Sequence, residues 1–169
     1  MLQTVLSRTL WFIGLILLQV LVFNHVHIFG YATPMPYVYF LLILPVNTPR
    51  WLYIVLGFFL GLVVDVCSCT PGIAAGALTV CGLAVPFLLK LFAPKDYDDT
   101  TALLPGKRTM EWGPFMRFCA LAVLLHCTLF FVLEAFTFFN AADLLLNILG
   151  SSVLTLLVVW AIELIRNEK

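Results

Sequence analysis

The sequence predicts an all-α fold, a polytopic membrane bundle of about six transmembrane helices, and three observations carry that prediction. The first is composition. Of 169 residues, 63% are hydrophobic and only 11% are charged, with a mean hydropathy of +1.08. Soluble domains are about 45–50% apolar and about 25% charged, so a chain of this size has no interior large enough to hide the excess. The bilayer must act as solvent, and there only helices or a closed barrel satisfy their own backbone. The second observation is that the apolar runs do not alternate with polar residues, as barrel strands would. The third is that all nine Lys and Arg fall at a few breaks between those runs.

The first span covers Thr4–Phe23. Arg8 ahead of the apolar run Leu10–Phe23 imitates a signal peptide, but the chain continues Asn24-His25-Val26-His27 without a small-x-small cleavage site. It reads as a retained helix. The second span, Tyr31–Val46, is the weakest. Its clean apolar core, Tyr37–Val46, is only ten residues long, whereas a span needs about 20. Pro34 and Pro36 mark its start and Pro45 its end, which predicts a short, kinked or partly re-entrant segment. The remaining spans are Trp51–Val66, Pro71–Phe92, Phe115–Phe139 and Leu144–Ile165.

Charge tests this count. With both termini cytoplasmic, Arg8, Arg50, Lys90, Lys95, Lys107, Arg108, Arg117, Arg166 and Lys169 all lie on one side, as the positive-inside rule predicts. Removing the second span would put the basic link between spans four and five outside. The expected organisation is one integral membrane domain over residues 1–169, with a cytoplasmic link at about 93–114.

The same pattern excludes some functions. No basic stripe of the kind that binds nucleic acid is present. The five cysteines are odd in number and mostly inside apolar runs, where free cysteine is a small apolar residue. A Cys67–Cys69 disulfide would close a very tight ring. No nucleophile elbow, phosphate loop or His-Glu-x-x-His occurs, so neither an enzyme nor a cofactor or metal site is expected. Asp96-Tyr97-Asp98-Asp99 lacks the Gly and terminal Glu of a calcium loop. His25 and His27 have no further ligand nearby.

The densest information lies in Gly57–Ala77, GFFLGLVVDVCSCTPGIAAGA. Gly57, Gly61 and Asp65 are spaced by four and share a helical face, and Gly72 and Gly76 repeat the spacing after the turn. Small-x-x-x-small spacing lets membrane helices approach closely, so these residues are read as the packing centre and a candidate partner interface. Asp65 falls about 21 Å along its helix, near the headgroup level. It either caps the turn and the next helix or contacts a partner or ligand at the outer mouth.

Other polar residues are read as packing first. Pro86 predicts a kink in span four. His126, near the midplane, is expected to hydrogen-bond a neighbouring helix rather than relay protons. Asn147, Ser151 and Thr155 line one face of span six, with Gln19 a candidate partner. Glu134 and Asp143, with Asp65, would make the outer rim acidic. That rim reads as solvated charge, with a basic partner segment as the alternative.

The Gly57–Ala77 stretch resembles the signature of the bacterial rod shape-determining protein MreD family. The matching residues are Gly57-Phe58, Gly61-Leu62, Asp65, Gly72 and Ala75. Leu18-Gln19, Phe29-Gly30 and Pro34 or Pro36 resemble the family's first helix and link. One departure is visible: the family often carries an acid after the link proline, and here Pro36 precedes Tyr37. The resemblance implies a non-catalytic scaffold and regulator of cell-wall elongation and rod shape in the bacterial cytoplasmic membrane. Its implied partners are an MreC-like bitopic protein, RodA, a class B penicillin-binding transpeptidase and MreB. It also implies a fold similar to the six-helix substrate-binding component of energy-coupling factor transporters. The alternative from another class is a substrate-binding membrane subunit of a small-molecule transporter, which predicts a polar, aromatic-rimmed pocket facing outward.

Overall fold

A computed structural model describes residues 2–25, 32–93, 104–136 and 140–167. His27, Phe29, Gly30, Tyr31, Lys95, the run Asp96–Asp99, most of the link and Lys169 lie outside the described residues, as do the side chains of Arg8, His25, Lys107 and Arg108. The described residues are helical with short connections. Helix α1 is Leu2–Leu21, α2 the single turn Tyr39–Leu42, α3 Arg50–Ser68 and α4 Ile73–Phe92. Then come α5, Lys107–Met110, α6, Trp112–Ala135, and α7, Ala141–Asn167.

Four of these, α3, α4, α6 and α7, are long and apolar enough to cross a membrane. Helix α1 has the length of a span at 20 residues, with the apolar run Thr9–Leu21 inside it. Large apolar side chains such as Leu10, Ile13, Leu17, Val66, Phe87, Leu91 and Leu157 point outward, as lipid-facing positions do. The chain is therefore an all-helical bundle suited to a membrane.

The second predicted span is not a continuous helix. Pro36–Val38 makes a 3-10 turn, with Pro36 in its first positions, and runs into the single turn α2. The physical cause is the prolines, which remove donors and restrict the residues before them. The backbone donors of this irregular stretch are met by α7 instead. Thr33 N–H donates to Ser151 Oγ at 3.0 Å, and Met35 N–H to Thr155 Oγ1 at 2.9 Å. Irregular backbone of this kind is tolerated where protein surrounds it and meets its donors.

The stretch also descends α7 in order. Ala32 lies against Gly150, Thr33 against Ser151, Met35 against Thr155 and Tyr39 against Glu163. Gly150 to Glu163 is a rise of about 20 Å on a helix. Tyr37, Val38, Tyr39, Leu41 and Leu42 are buried completely or nearly so. This short segment therefore lies inside the core, with α1, α3, α4, α6 and α7 packed around it. The Gly57–Ala77 stretch forms the closest helix pair of the bundle, and the proline-bounded segment is buried beside it.

Antiparallel neighbours give the bundle two ends. The turn end holds the α3–α4 turn and the α6–α7 connection. The link end holds Arg50, whose guanidinium sits 4.7 Å over the Phe87 ring, and Arg166. Part of the link is docked there: Pro105, Gly106 and Met110 are buried.

Candidate functional site

The glycine-spaced stretch builds a helical hairpin held by direct backbone approach. A Cβ on Gly57 would lie 2.6 Å from the Leu78 carbonyl oxygen. One on Gly61 would lie 2.6 Å from the Ala74 carbonyl carbon and closer still to Ala75. The reciprocal glycine on α4 is Gly82, where a Cβ would sit 2.6 Å from the Tyr53 carbonyl oxygen. Sequence spacing missed Gly82, because its partner lies on another helix and no four-residue repeat marks it.

Gly72 and Gly76 do other work. Gly72 sits just before α4 at φ +85°, with no atom near its would-be Cβ, so it is required by the turn conformation rather than by packing. Gly76 faces α6, where a Cβ would meet Leu133 at 3.3 Å. The five residues thus divide: Gly57 and Gly61 close α3 on α4, Gly72 makes the turn, Gly76 faces α6 and Asp65 caps. The face carrying Gly57 and Gly61 is filled by α4 and has no space for a partner's helix.

Asp65 is buried at the end of α3 and directed into the start of α4. Oδ1 accepts from Thr70 Oγ1 and from Ala74 N–H, and Oδ2 from Ala75 N–H, each at 2.9 Å. These are donors that a helix start leaves unpaired, and a carboxylate there also suits the helix dipole. Of the two readings left open by the sequence, the capping one matches this geometry. Cys69, at φ 56°, ends α3, and its N–H returns to the Asp65 carbonyl. Cys67 and Cys69 are free and exposed.

At the turn end a cavity of about 380 Å³ opens between α1, the proline-bounded segment, α3 and α6. Gln19, Asn24, Ser68, Thr33 and Glu134 contribute to its polar lining, and Tyr37, Phe130 and Phe131 to its aromatic wall. The amide chain is ordered. Gln19 Nε2 donates to Asn24 Oδ1 at 2.9 Å, and Asn24 Nδ2 to Ser68 Oγ at 2.8 Å. Gln19 thus pairs within its own end of the bundle and not with span six, as had been expected. A second cavity of about 310 Å³ shares Phe131 and Glu134 and adds Asn140, Asp143 and Asn147. The predicted acidic rim is brought together here for Glu134 and Asp143, while Asp65 is turned inward and already bonded.

His126 is fully buried, and its Nε2 lies 3.0 Å from the Tyr37 hydroxyl. This is the predicted bond to a neighbouring element, and the partner is the residue that follows Pro36. Its Nδ1 is without a partner, as are the Gln19 Oε1 and Asn147 Oδ1 atoms. Ser151 and Thr155 serve the backbone of the proline-bounded segment, and Asn147 lines the second cavity, so the polar stripe on α7 has two separate roles.

Sequence reasoning passed over a network at the link end. The Tyr39 hydroxyl donates to Glu163 Oε2 at 2.5 Å, and Arg166 donates to Glu163 Oε1 at 3.0 Å and to the Pro105 carbonyl at 2.7 Å. Glu163 is fully buried, and the Arg166 guanidinium lies beside the Tyr39 ring. Gly106 lets the strap pass, because a Cβ there would collide with Arg166. The readable signal was an i, i+3 acid–base pair at the end of an apolar span. Arg166→Met is expected to release the strap: amide exchange at Thr109 and Met110, both bonded to the Gly106 carbonyl, should speed up at least tenfold. Unchanged exchange would show that the pair does not hold the link.

Among the described residues, no group of three or more His, Cys, Asp or Glu could hold a metal ion. No family model, no curated protein and no solved structure matches this chain.

Proposed function

We propose that this chain is a non-catalytic membrane scaffold of the MreD type, acting in the machinery that elongates the bacterial cell wall. The observation that carries the reading is the way the resembling stretch folds. Gly57, Gly61, Asp65 and Ala75 act together in a single device that locks α3 to α4. A signature spent on rigid packing fits a protein that holds others in place. Since α4 fills the glycine face, a single-helix partner of the MreC type would dock on another face. RodA, a class B transpeptidase and MreB remain the partners implied for the assembly.

In this reading the chain crosses the bacterial cytoplasmic membrane six times, with the proline-bounded segment as the second crossing and both termini inside. Its ordered descent along α7 supports that count, and so does the gathering of Arg50, Lys90, Arg117 and Arg166 near the link end. A cysteine at Lys107, in a background lacking the native cysteines, is expected to resist impermeant thiol reagents in intact cells. Labelling there would overturn the six-crossing topology.

Gentle extraction from native membranes followed by mass spectrometry tests the function. Recovery of an MreC-like bitopic protein with wall synthases is the expected result. The polar, aromatic-walled cavity favours a second reading, a substrate-binding subunit of a transporter. Recovery of an ATPase pair with a coupling membrane subunit would establish that reading and exclude the scaffold.

A further inference from the structure

We propose that the two ends of the bundle are mechanically coupled, with the proline-bounded segment as the moving part and the docked strap at residues 104–110 as its latch. The latch is one continuous set of bonds. Arg166 holds the strap by the Pro105 carbonyl at 2.7 Å and holds Glu163 Oε1 at 3.0 Å. The other oxygen of the same carboxylate accepts from the Tyr39 hydroxyl at 2.5 Å. A carboxylate is one rigid plane, so a shift imposed on Oε1 moves Oε2 with it. Glu163 and Tyr39 are fully buried, where a hydrogen bond is strong and costly to leave unmade. Tyr39 therefore follows Glu163.

The proline-bounded segment carries the motion. Pro34 and Pro36 fix φ on either side of Met35. The 3-10 turn Pro36–Val38 then ties Met35 to Tyr39, with Val38 N–H bonded to the Met35 carbonyl and Tyr39 N–H to the Pro36 carbonyl. A displacement of Tyr39 is thus handed on to Met35. The contacts beyond it can give way. Thr33 and Met35 N–H bond to the hydroxyls of Ser151 and Thr155 rather than to a backbone ladder. The Thr155 hydroxyl keeps a second bond, to the Ser151 carbonyl at 2.6 Å, when Met35 leaves it. Ala32 rides over Gly150, where a side chain would block the path: a Cβ there would lie 2.9 Å from the Ala32 methyl.

The motion ends at the turn-end cavity. Thr33, Met35 and Tyr37 all line it, and Tyr37 is bonded to His126 on α6. A rearrangement that starts at the strap therefore changes the shape of the cavity. Coupling between distant sites needs a contiguous network with two arrangements. Here these are the latched one, with the strap docked, and an unlatched one, with the strap drawn off Arg166. A protein that takes up the strap favours the unlatched arrangement by its greater affinity for it. By reciprocity, whatever binds one arrangement of the cavity alters the hold on the strap. The inference is independent of the scaffold reading and of which end faces the cytoplasm, since it is measured on the isolated chain.

The test is hydrogen exchange read by mass spectrometry, with electron-transfer fragmentation, on the full chain in phosphatidylcholine–phosphatidylglycerol nanodiscs. Three sets of amides are compared. Thr109 and Met110 report the strap, and Thr33 and Met35 the segment. Ala74 and Ala75, held by Asp65, report the α3–α4 pair at the same turn end. Arg166→Met is expected to speed exchange at least tenfold on the strap and, by about threefold or more, on the segment. Ala74 and Ala75 should stay within about twofold. Tyr39→Phe removes one hydroxyl and keeps the ring beside Trp11; it should send the signal the other way and speed exchange on the strap. A freed strap with unchanged Thr33 and Met35 would reduce the network to a local clasp and overturn the proposal. A strap indifferent to Tyr39→Phe or to Arg166→Met would also overturn it, as would equal acceleration at Ala74 and Ala75, the mark of general loosening. Should Arg166→Met fail to fold, Gly106→Ala takes its place, because the added Cβ would collide with the Arg166 guanidinium and lift the strap, and the same three comparisons decide.

Discussion

Gly61→Leu is expected to destroy the folded bundle, whereas Gly14→Leu should leave it intact. The Cβ alone on Gly61 would press within 2.6 Å of the Ala74 carbonyl carbon and against the Ala75 backbone. The atoms in the way are main chain, inside a helix, and cannot rotate aside. Helices α3 and α4 would have to separate. That would strip Asp65 from the two N–H groups it holds and expose the shared core. Overpacking of a tight interior costs about 1–3 kcal/mol, and rigid backbone on both sides puts this site at or above the upper figure. Gly14 has nothing within 4 Å of its would-be Cβ, so leucine there adds only lipid-facing surface. The measurement is thermal aggregation of the two variants in one detergent. Equal, mild losses would refute the claim that direct backbone contact at Gly61 holds the hairpin.

The second large effect is expected at Asp65. Asp65→Ala leaves Ala74 N–H, Ala75 N–H and the Thr70 hydroxyl without their acceptor. Hydrogen bonds to a charged group contribute about 1.5–3 kcal/mol each, and loss of a cap about 1 kcal/mol, so a net loss of about 3 kcal/mol is expected after partial rehydration. Asp65→Asn keeps one acceptor oxygen in place and can hold one of the two N–H groups, so its loss should be about half as large. Asp143→Ala, at a more exposed helix start, should cost well under 1 kcal/mol. The order Ala, then Asn, then the Asp143 control is the diagnostic. If Asp65→Asn proved as stable as the wild type while binding of a partner or ligand fell, Asp65 would be a recognition residue rather than a cap.

The two predictions share a cause and should not add. Gly61 and Asp65 lie one helical turn apart and both engage Ala74 and Ala75. Residues with shared partners couple, so the double variant should lose less than the sum of the singles.

Periodicity and hydropathy determined much of this protein without any structure. They place α1, α3, α4, α6 and α7, because each is dominated by apolar residues over the length of a helix, a local property. They identify Gly57 and Gly61 as close-packing positions and Asp65 as a carboxylate at the start of a turn, since the four-residue repeat is written in the chain. They also limit charge to a few breaks, which is a matter of counting.

What the sequence could not determine lies in pairs of residues far apart in the chain. Nothing local says that Ser151 and Thr155 will serve the backbone of Thr33 and Met35, more than a hundred residues away. The proline-bounded segment looks like a failed span for that reason: its donors are satisfied only when α7 is beside it. Gly82 is ordinary until Tyr53 approaches it, and Glu163 until Tyr39 and Arg166 surround it. Gly72 and Gly76 share a spacing but not a role, because φ at one and a neighbour's side chain at the other decide what each does. Membrane solvent fixes the helices through local composition, whereas the burial of polar groups is resolved only by whichever distant atoms fold against them.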